Sequence, residues 1–381
     1  VLHMARLVLM LSDHHYSSLT QLGQREKGTP NFPLIANTRR DTGESNQPLD
    51  EHLIGVERHT GRISYALPRM VHQLPRLARH KGFKRRSSNS NFQWQDKAYE
   101  LAGSLRERSV EQGFFGINMA STGRGKTLAN GRIMYALADP LRGARFTIAL
   151  GLRTLTLQTG EVYRNRLGLG ADDLSVLVGG SGVRLLYEHN QQSQEEQTRR
   201  TLEESGIEST EELLPDNSYV HYEGSLDEGP LSTWLSSTRG ALALLNAPIL
   251  TCTIDHLMPS TEGTRGGSQI APMLRLMSAD LVLDEPDDFG LEDLPALTRL
   301  VHWAGLLGSR VLLSSATLPP TMVQGLFSAY AEGRRIYLQN RGTPGQPLNV
   351  CTAWFDEFGA QSGEHAVPET FIEQHRQWVA K

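Results

Sequence analysis

The chain has few cysteines and no long apolar run. Its 381 residues include only two cysteines, Cys252 and Cys351, and both lie inside apparent strands. This number argues against a disulfide framework and fits a reducing cytoplasm. The longest apolar stretches fall well short of the roughly 18 residues that a membrane-spanning helix needs, and no signal-peptide pattern opens the chain. We therefore expect a soluble, cytoplasmic protein with no membrane partner.

A strong charge of one sign is also lacking. With 38 basic and 42 acidic residues, the formal net charge of −4 provides no global attraction to nucleic acid. Any such binding must come from a local basic surface. The length suffices for about two domains. The chain starts at Val1, without a Met and inside a helical pattern, which indicates a piece of a longer protein.

A glycine loop followed by Lys-Thr is the first chemical motif. Residues 116–128 read GINMASTGRGKTL, the pattern of a strand, a loop and a helix start. Lys126 would reach the β and γ phosphates of a nucleotide, and the Thr127 hydroxyl would bind Mg²⁺. The backbone N–H groups predicted to face the phosphates are those of Thr122, Gly123, Arg124 and Gly125. The usual first glycine is Ala120 here, so a solvated helix start remains the alternative.

A second motif places carboxylates at the end of an apolar run. Residues 278–287 read SADLVLDEPD, as a buried parallel strand does when it delivers acids to the carboxyl edge of a sheet. Asp284 would hold the Mg²⁺, and Glu285 would orient and deprotonate the attacking water. An acidic turn after a strand is the plain alternative.

A third apolar run ends in small hydroxyl residues. Residues 310–317 read RVLLSSAT. Ser315 and Thr317 can bond carboxylates of the neighbouring strand, and with Asp287 they would report the nucleotide state to whatever binds above them.

An aromatic and glutamine segment precedes the glycine loop by some thirty residues. In NFQWQDK, Phe92 or Trp94 would pack on adenine and Gln95 would pair with the base edge. A surface glutamine in the first turn of a helix is the alternative.

Further polar loops follow predicted strands and would face the same sheet edge. Hydroxyl, guanidinium and N–H groups there can follow a sugar–phosphate backbone without reading bases. Each loop alone is an ordinary turn. The residues predicted to form this track for one nucleic-acid strand are Arg153, Thr154, Thr253, Thr264 and Arg265.

The strand pattern after the glycine loop predicts an α/β fold. Helical stretches alternate with apolar runs, as in a parallel sheet covered on both faces. Strands are predicted at Phe146–Leu150, Ser175–Val178, Ile249–Thr253, Leu281–Asp284, Val311–Ser315 and Val350–Phe355. Residues 179–217 are dominated by Gln, Glu and Ser and are predicted to form a polar surface insertion.

The N-terminal region is predicted to be mostly helical. Residues 1–19 repeat apolar positions at helical spacing and end near Asp13-His14-His15, where spacing alone favours a polar helix end over a metal site. Residues 20–48 are predicted to be a long connection and 49–78 a helix. A basic, flexible linker follows at 81–91.

The ordered set of blocks resembles a superfamily 2 helicase. In the residues of these blocks the chain is similar to the CRISPR-associated helicase-nuclease of type I systems, subtype F. The resemblance rests on Gln95, NMASTGRGKTLANGRIMYALAD, GLRTLTLQTG, TIDHL, RGGSQIAPMLRLMSADLVLDEPDDF and SSATLPP, and it covers most of the chain.

The resemblance implies a domain order. In that family a histidine-aspartate (HD) nuclease domain precedes two RecA-like lobes. By resemblance, residues 1–80 are the helical tail of the HD domain, 81–91 a linker, 92–350 the first RecA-like lobe and 351–381 a connection towards a second lobe. The remaining nuclease residues are expected upstream and the second lobe downstream.

The resemblance also implies cofactors and partners. Asp13, in LSDHHYSS, would complete a transition-metal site for Mn²⁺, Co²⁺, Ni²⁺ or Fe²⁺, and the RecA-like lobe would use ATP and Mg²⁺. A guide-RNA surveillance complex would recruit the enzyme to a displaced DNA strand, which it nicks and degrades 3′ to 5′. A spacer-integration complex is a further expected partner.

Two alternatives stay open at this point. One is an RNA helicase or remodelling ATPase of the same superfamily, although such enzymes have no reason to carry the Asp13-His14-His15 helix. The other is an interaction module that binds ATP as a docking switch without turnover, although such a site has no need of Glu285.

Overall fold

The computed structural model describes residues 2–19, 22–38, 42–179, 218–221, 244–261, 267–290 and 293–380. The predicted polar insertion lies outside these residues except for Gly179. Thr264 and Arg265 also lie outside them. Within the described ranges, no helix is long and apolar enough to cross a membrane.

A nine-stranded sheet forms the centre of the described structure. Its strands are β3 (Phe114–Asn118), β4 (Phe146–Leu150), β5 (Leu174–Gly179), β6 (Ser218–His221), β7 (Ile249–Thr253), β8 (Asp280–Asp284), β9 (Val311–Ser314), β10 (Val350–Phe355) and β11 (Ala360–His365). Their order is β11-β10-β3-β9-β8-β4-β7-β5-β6. Only the two edge pairs, β10 with β11 and β5 with β6, are antiparallel. The predicted α/β fold with a parallel sheet is confirmed.

Helices cover the sheet, because its inner strands have no polar face. Every residue of β3, β4, β7 and β9 is buried, as expected of parallel strands packed on both sides. The helices whose full extent lies in the described ranges after residue 100 include α5 (Arg106–Gln112), α6 (Lys126–Leu137), α7 (Arg153–Leu167), α8 (Ile270–Ser278), α9 (Leu294–Leu307), α10 (Pro320–Arg341) and α11 (Pro368–Val379).

The N-terminal helices share a hydrophobic core with the sheet. These helices are α1 (Leu2–Ser17), α2 (Leu49–Gln73), α3 (Lys81–Lys84) and α4 (Trp94–Ser104). Leu7 and Leu11 of α1 and Ile63 of α2 are fully buried in the same cluster as Leu274 of α8. Two short strands, β1 (Ile35–Thr38) and β2 (Ser45–Pro48), pair antiparallel within the stretch predicted to be a connection.

The predicted linker at 81–91 is anchored to the fold. Phe83 is fully buried, and its ring stacks on Tyr135 of α6 at 4.8 Å between centroids. A flexible, solvated loop was the expectation for this segment. The apolar ring among the basic residues explains the difference, since its burial fixes the segment against α6.

The sheet also extends past the predicted domain boundary at residue 350. Strand β10 pairs parallel with β3, so the boundary falls at the first residue of a strand of the same sheet. Strand β11 and α11 follow, and Phe371 of α11 stacks on Phe327 of α10 at 3.9 Å. The segment 351–381 therefore belongs to the same packed unit and is not only a connection.

Candidate nucleotide site

Three polar side chains end three neighbouring parallel strands. Asn118 of β3 lies opposite Ser314 of β9, and Ser314 lies opposite Asp284 of β8. All three are buried. Because parallel strands end at one edge of a sheet, this register sets a polar floor at the carboxyl edge.

Asn130, one turn into α6, joins these strand ends. Its Nδ2 donates to Asp284 Oδ1 at 3.2 Å and to Ser314 Oγ at 2.8 Å. Its Oδ1 accepts from Asn118 Nδ2 at 2.7 Å. Sequence reasoning missed this residue and Asn118. The available signals were a polar residue closing the apolar run FFGIN and an Asn four residues after Lys126.

The glycine loop enters α6 beside this floor. Gly123 and Gly125 have φ values of +81° and +79°, the left-handed region that glycine adopts without strain. A Cβ on Gly123 would meet no atom within 4 Å, so the loop is open on that side. Helix α6 begins at Lys126, and its first backbone N–H groups have no acceptor within the helix. An open, left-handed loop at a helix N-terminus fits an anionic phosphate.

One of the predicted phosphate donors points elsewhere. The N–H of Arg124 donates to the carbonyl of Ser121 at 3.1 Å. This bond closes a turn inside the loop, so the Arg124 N–H is not free for a phosphate in this conformation. No such turn bond involves the N–H of Thr122, Gly123 or Gly125 among the described residues.

Lys126 and Glu285 meet at the mouth of the site. Lys126 Nζ lies 3.0 Å from Glu285 Oε1, and the lysine side chain is only 9% exposed. Glu285 follows β8 with a φ of +50°, an unusual value for a residue with a side chain. Its N–H donates to Ser314 O at 2.7 Å, which holds that turn beside β9. A buried lysine with a single carboxylate partner is available to a bound anion.

The carboxyl group of Asp284 has a raised pKa. Burial raises the pKa of its carboxyl group to about 6, a hydrogen bond from Ser314 opposes this shift, and the charge of Glu285 adds to it. A divalent cation would favour the ionised form again. A buried carboxylate at a phosphate loop is a hard oxygen ligand of the type that Mg²⁺ prefers. Thr127, the other predicted ligand, lies in the first turn of α6, and its carbonyl accepts from Tyr163 at 2.7 Å.

The predicted base-binding residues contact the loop itself. Gln95 Nε2 donates to Gly125 O at 3.2 Å, and Trp94 Nε1 donates to Arg124 O at 3.1 Å. Both side chains are buried. Trp94 therefore supports the loop, and of the two aromatic candidates Phe92 is the one that stays partly exposed.

Asp287, Ser315 and Thr317, the residues predicted to report the nucleotide state, lie in contact with one another. Thr317 Oγ1 donates to Asp287 Oδ2, and Thr317 N donates to Ser315 Oγ at 3.2 Å. Ser315 N donates to Asn118 O at 3.1 Å, which ties this segment to β3.

The predicted DNA track is only partly assembled. Arg153 and Thr154 begin α7 at the same sheet edge and are exposed. Thr253 ends β7 but is buried, and its Oγ1 lies 3.0 Å from His256 Nδ1. Thr253 therefore does not present its hydroxyl at the surface, contrary to the expectation. Its place at the end of an apolar strand explains the burial.

Asp13 lies far along the chain from these residues, on α1. Its half-exposed carboxylate is 2.9 Å from His52 Nε2, and His52 Nδ1 is 2.9 Å from Gln47 Oε1. Among the described residues, no group of three or more His, Cys, Asp or Glu side chains could hold a metal ion. The described residues do not make up a transition-metal site by themselves.

Comparison with known proteins gives strong matches over the whole chain. No protein-family model matches. The CRISPR-associated nuclease/helicase Cas3 subtype I-F/YPEST of Pseudomonas aeruginosa is 61% identical over 381 residues, which are 100% of this chain and 34% of that protein. Its namesake from Pectobacterium atrosepticum is 55% identical over 379 residues, 99% of this chain and 34% of that protein. The chain thus spans about a third of the length of these curated relatives.

Solved structures of T. fusca Cas3 are also similar. The crystal structure of T. fusca Cas3-ATP shares 19% identity over 78% of this chain and 29% of that chain, with a TM-score of 0.43. The crystal structure of T. fusca Cas3-AMPPNP shares 19% identity over 85% of this chain and 30% of that chain, with a TM-score of 0.44.

Proposed function

The chain is related over its whole length to the CRISPR-associated nuclease/helicases Cas3 of subtype I-F, and from this premise we propose that it carries their ATP-hydrolysing motor site. ATP binding and hydrolysis at this site would drive movement along single-stranded DNA. In the full-length protein the motor would be coupled to an HD nuclease that degrades foreign DNA in CRISPR interference.

One observation carries the proposal. Lys126 of the glycine loop and the two acids at the end of β8 lie more than 150 residues apart in the chain, yet Lys126 Nζ is 3.0 Å from Glu285 Oε1. Asn130, on the same helix as the lysine, contacts Asp284 at 3.2 Å. A phosphate-binding cation, a metal-binding carboxylate and a water-activating carboxylate at one sheet edge are what phosphoryl transfer needs.

Each residue has a role that its position supports. Lys126 would leave Glu285 and bind the β and γ phosphates, together with the N–H groups at the start of α6. Glu285, once free of the lysine, would accept a proton from the attacking water. Asp284 and Thr127 would hold Mg²⁺, which neutralises charge on the phosphates. Asp287, Ser315 and Thr317 would connect this site to the surface that includes Arg153 and Thr154.

Substitution of the lysine tests the proposal. In the full-length protein, Lys126→Ala should lower ATP-dependent DNA unwinding by at least about a hundredfold, because it removes the cation that holds the transferred phosphoryl group. Nicking of single-stranded DNA should persist. Lys97→Ala, an exposed lysine on α4, is the matched control and should unwind DNA normally. Normal ATP turnover in Lys126→Ala would refute the assignment.

The nuclease half of the proposal rests on the relatives and on one side chain. Asp13 would contribute a single ligand to the transition metal of the full-length protein, with its carboxylate oriented by His52. Metal-dependent nicking with Mn²⁺, Co²⁺ or Ni²⁺ should fall at least about tenfold in Asp13→Asn. Unchanged nicking would remove Asp13 from the nuclease site. A guide-RNA surveillance complex and a spacer-integration complex remain proposed partners.

A further inference from the structure

A tight hairpin turn lies beside the phosphate loop. Residues 356–359 join β10 to β11, and the Asp356 carboxylate accepts from the N–H groups of Phe358 at 2.7 Å and Gly359 at 2.8 Å. The N–H of Asp356 donates to Gly359 O at 3.1 Å. Met119 N donates to Phe355 O at 2.8 Å, so the pairing of β3 with β10 continues up to the loop. The turn is fixed, and its next side chain, Glu357, has a defined direction.

Glu357 takes both donors of a loop residue. The N–H of Ser121 donates to Glu357 Oε2 at 3.0 Å, and the Ser121 hydroxyl donates to Glu357 Oε1. The carbonyl of Ser121 accepts from Arg124 N at 3.1 Å. Every polar group of Ser121 is thus engaged, and the first residue after Ala120 is held by a carboxylate.

This carboxylate is charged and has no ion-pair partner among the described residues. Burial acts to raise the pKa of Glu357, but the hydrogen bonds from Ser121 and the positive charge of Arg124 outweigh it, and the pKa lies below its usual range. None of the ion pairs found in the described ranges includes Glu357. A negative charge therefore lies on the loop that would receive a triphosphate.

We propose that Glu357 is a resident carboxylate of the phosphate loop that opposes nucleotide binding, so that an incoming triphosphate must displace it from Ser121. The inference rests on the proposed ATP site. Nothing in the proposed chemistry needs this acid, since Asp284 and Glu285 supply the carboxylates of the reaction. Glu357 would lower the affinity of the site for nucleoside triphosphates.

The sign of the effect separates this role from a purely structural one. A carboxylate that only shapes the loop would improve binding, and its loss would weaken affinity. A carboxylate beside the phosphate loop that repels phosphate has the opposite effect, because like charges repel. Glu357→Gln keeps the length and one acceptor for the Ser121 N–H while removing the charge, so it isolates the electrostatic contribution.

Calorimetric titration of the full-length protein with ATP, ADP and adenosine tests the proposal. Glu357→Gln should tighten ATP binding by about two- to fivefold at low salt, a range typical of one partly exposed charge. The gain should be smaller for ADP and absent for adenosine. It should shrink as salt is raised from about 0.05 M to about 0.5 M, because the charge is screened.

A matched control and a second variant complete the experiment. Glu364→Gln removes another carboxylate of the same hairpin, one that is paired with Arg108 and Asn349, and should leave the ATP affinity unchanged. Ser121→Ala removes one of the two hydrogen bonds and should reduce the gain from Glu357→Gln in the double variant.

The titrations distinguish a failure of the Glu357 inference from a failure of the proposed ATP site. If the parent protein binds ATP and Glu357→Gln binds it equally or more weakly, the inference is wrong while the ATP site stands. An equal gain for adenosine would also contradict it, since adenosine has no phosphate to repel. If the parent protein fails to bind ATP, the proposed function fails and the inference with it.

Discussion

At the residue scale, one amide organises the candidate site. Asn130 is fully buried and contacts the ends of three strands through Asn118, Ser314 and Asp284. A buried amide whose oxygen and nitrogen are both engaged fixes the rotamers of its partners. Asn130 therefore holds the carboxylate of Asp284 in one orientation, at the place where Mg²⁺ would bind.

Loss of this amide should reduce turnover more than nucleotide binding. In Asn130→Ala, the Asp284 carboxylate loses the hydrogen bond that the Asn130 amide donates to it, and a hydrogen bond to a charged group is worth about 2 kcal/mol. We therefore expect DNA-stimulated phosphate release to fall by about tenfold or more. The ATP affinity should change less, because Lys126 and the loop are intact. Asn340→Ala on α10, an exposed asparagine, is the control. Equal loss of affinity and turnover would mean that Asn130 acts on the loop instead.

At the element scale, α11 is attached to β10 through an imidazole that must stay neutral. Trp354 Nε1 donates to His375 Nδ1 at 3.1 Å, so the ring proton belongs on Nε2. His375 is fully buried. Burial lowers the pKa of His375 to about 4, and the charge of Arg376 acts in the same direction.

This imidazole predicts a pH dependence of stability. The folded-state pKa lies below the usual value of 6.5, so the unfolded chain binds a proton first. The contribution to stability is full above about pH 6.5 and is lost as the pH falls towards 4. When the pH is lowered from 7 to 5, protonation of this histidine in the unfolded chain should reduce the free energy of unfolding by about 2 kcal/mol.

Urea unfolding at pH 7 and pH 5 measures this effect. The comparison is with His375→Gln, which has no titrating group at this position. The free energies of unfolding of the two proteins should converge as the pH falls, because only the parent protein loses the contribution. Parallel pH profiles would show that His375 does not titrate as the structure indicates.

Some strands of the sheets could be predicted from the sequence and others could not. The sequence predicts β10 at Val350–Phe355 and the strand has those bounds, because a short apolar run that contains β-branched and aromatic residues and follows a Gly- and Pro-containing segment favours a buried strand. Strand β11 reads AQSGEH, with no apolar alternation, and sequence reasoning missed it. It missed β1 and β2, which read IANT and SNQP, for the same reason.

Some residues of the candidate site could likewise be predicted from the sequence, and others could not. Lys126, Asp284 and Glu285 follow strands in recognisable motifs, so their meeting at one edge could be predicted. Helix α6 is buried around most of its circumference, and its periodicity therefore gave no reason to single out Asn130. The contact of Glu357 with Ser121 joins residues 236 positions apart, and such pairs leave no local pattern in one sequence.

At the scale of the whole molecule, two buried arginines close the edge of the sheet opposite the site. Arg275 of α8 donates to Phe146 O at 2.7 Å and to Pro248 O at 3.0 Å, and Arg145 donates to Pro75 O at 3.1 Å. Burial lowers the pKa of Arg275 to about 9, which leaves it charged at neutral pH. Backbone carbonyls replace water around these charges and tie α8, β4 and the end of α2 together.

The shared core and these arginines join the described residues into a single packed unit, with the candidate site at its carboxyl edge. The proposed motor would need such an arrangement, since a change at the phosphate loop would have to reach the loops proposed to contact DNA. A series of hydrogen bonds runs from Asn118 through Ser315 and Thr317 to Asp287.

The most direct measurement is a crystal structure of the full-length protein with Mg²⁺ and a slowly hydrolysed ATP analogue. We predict that Lys126 Nζ leaves Glu285 for the β and γ phosphates, and that the metal lies beside Asp284 and Thr127. We also predict that Ser121 separates from Glu357. A triphosphate bound elsewhere, with the contact between Lys126 and Glu285 unchanged, would contradict the account.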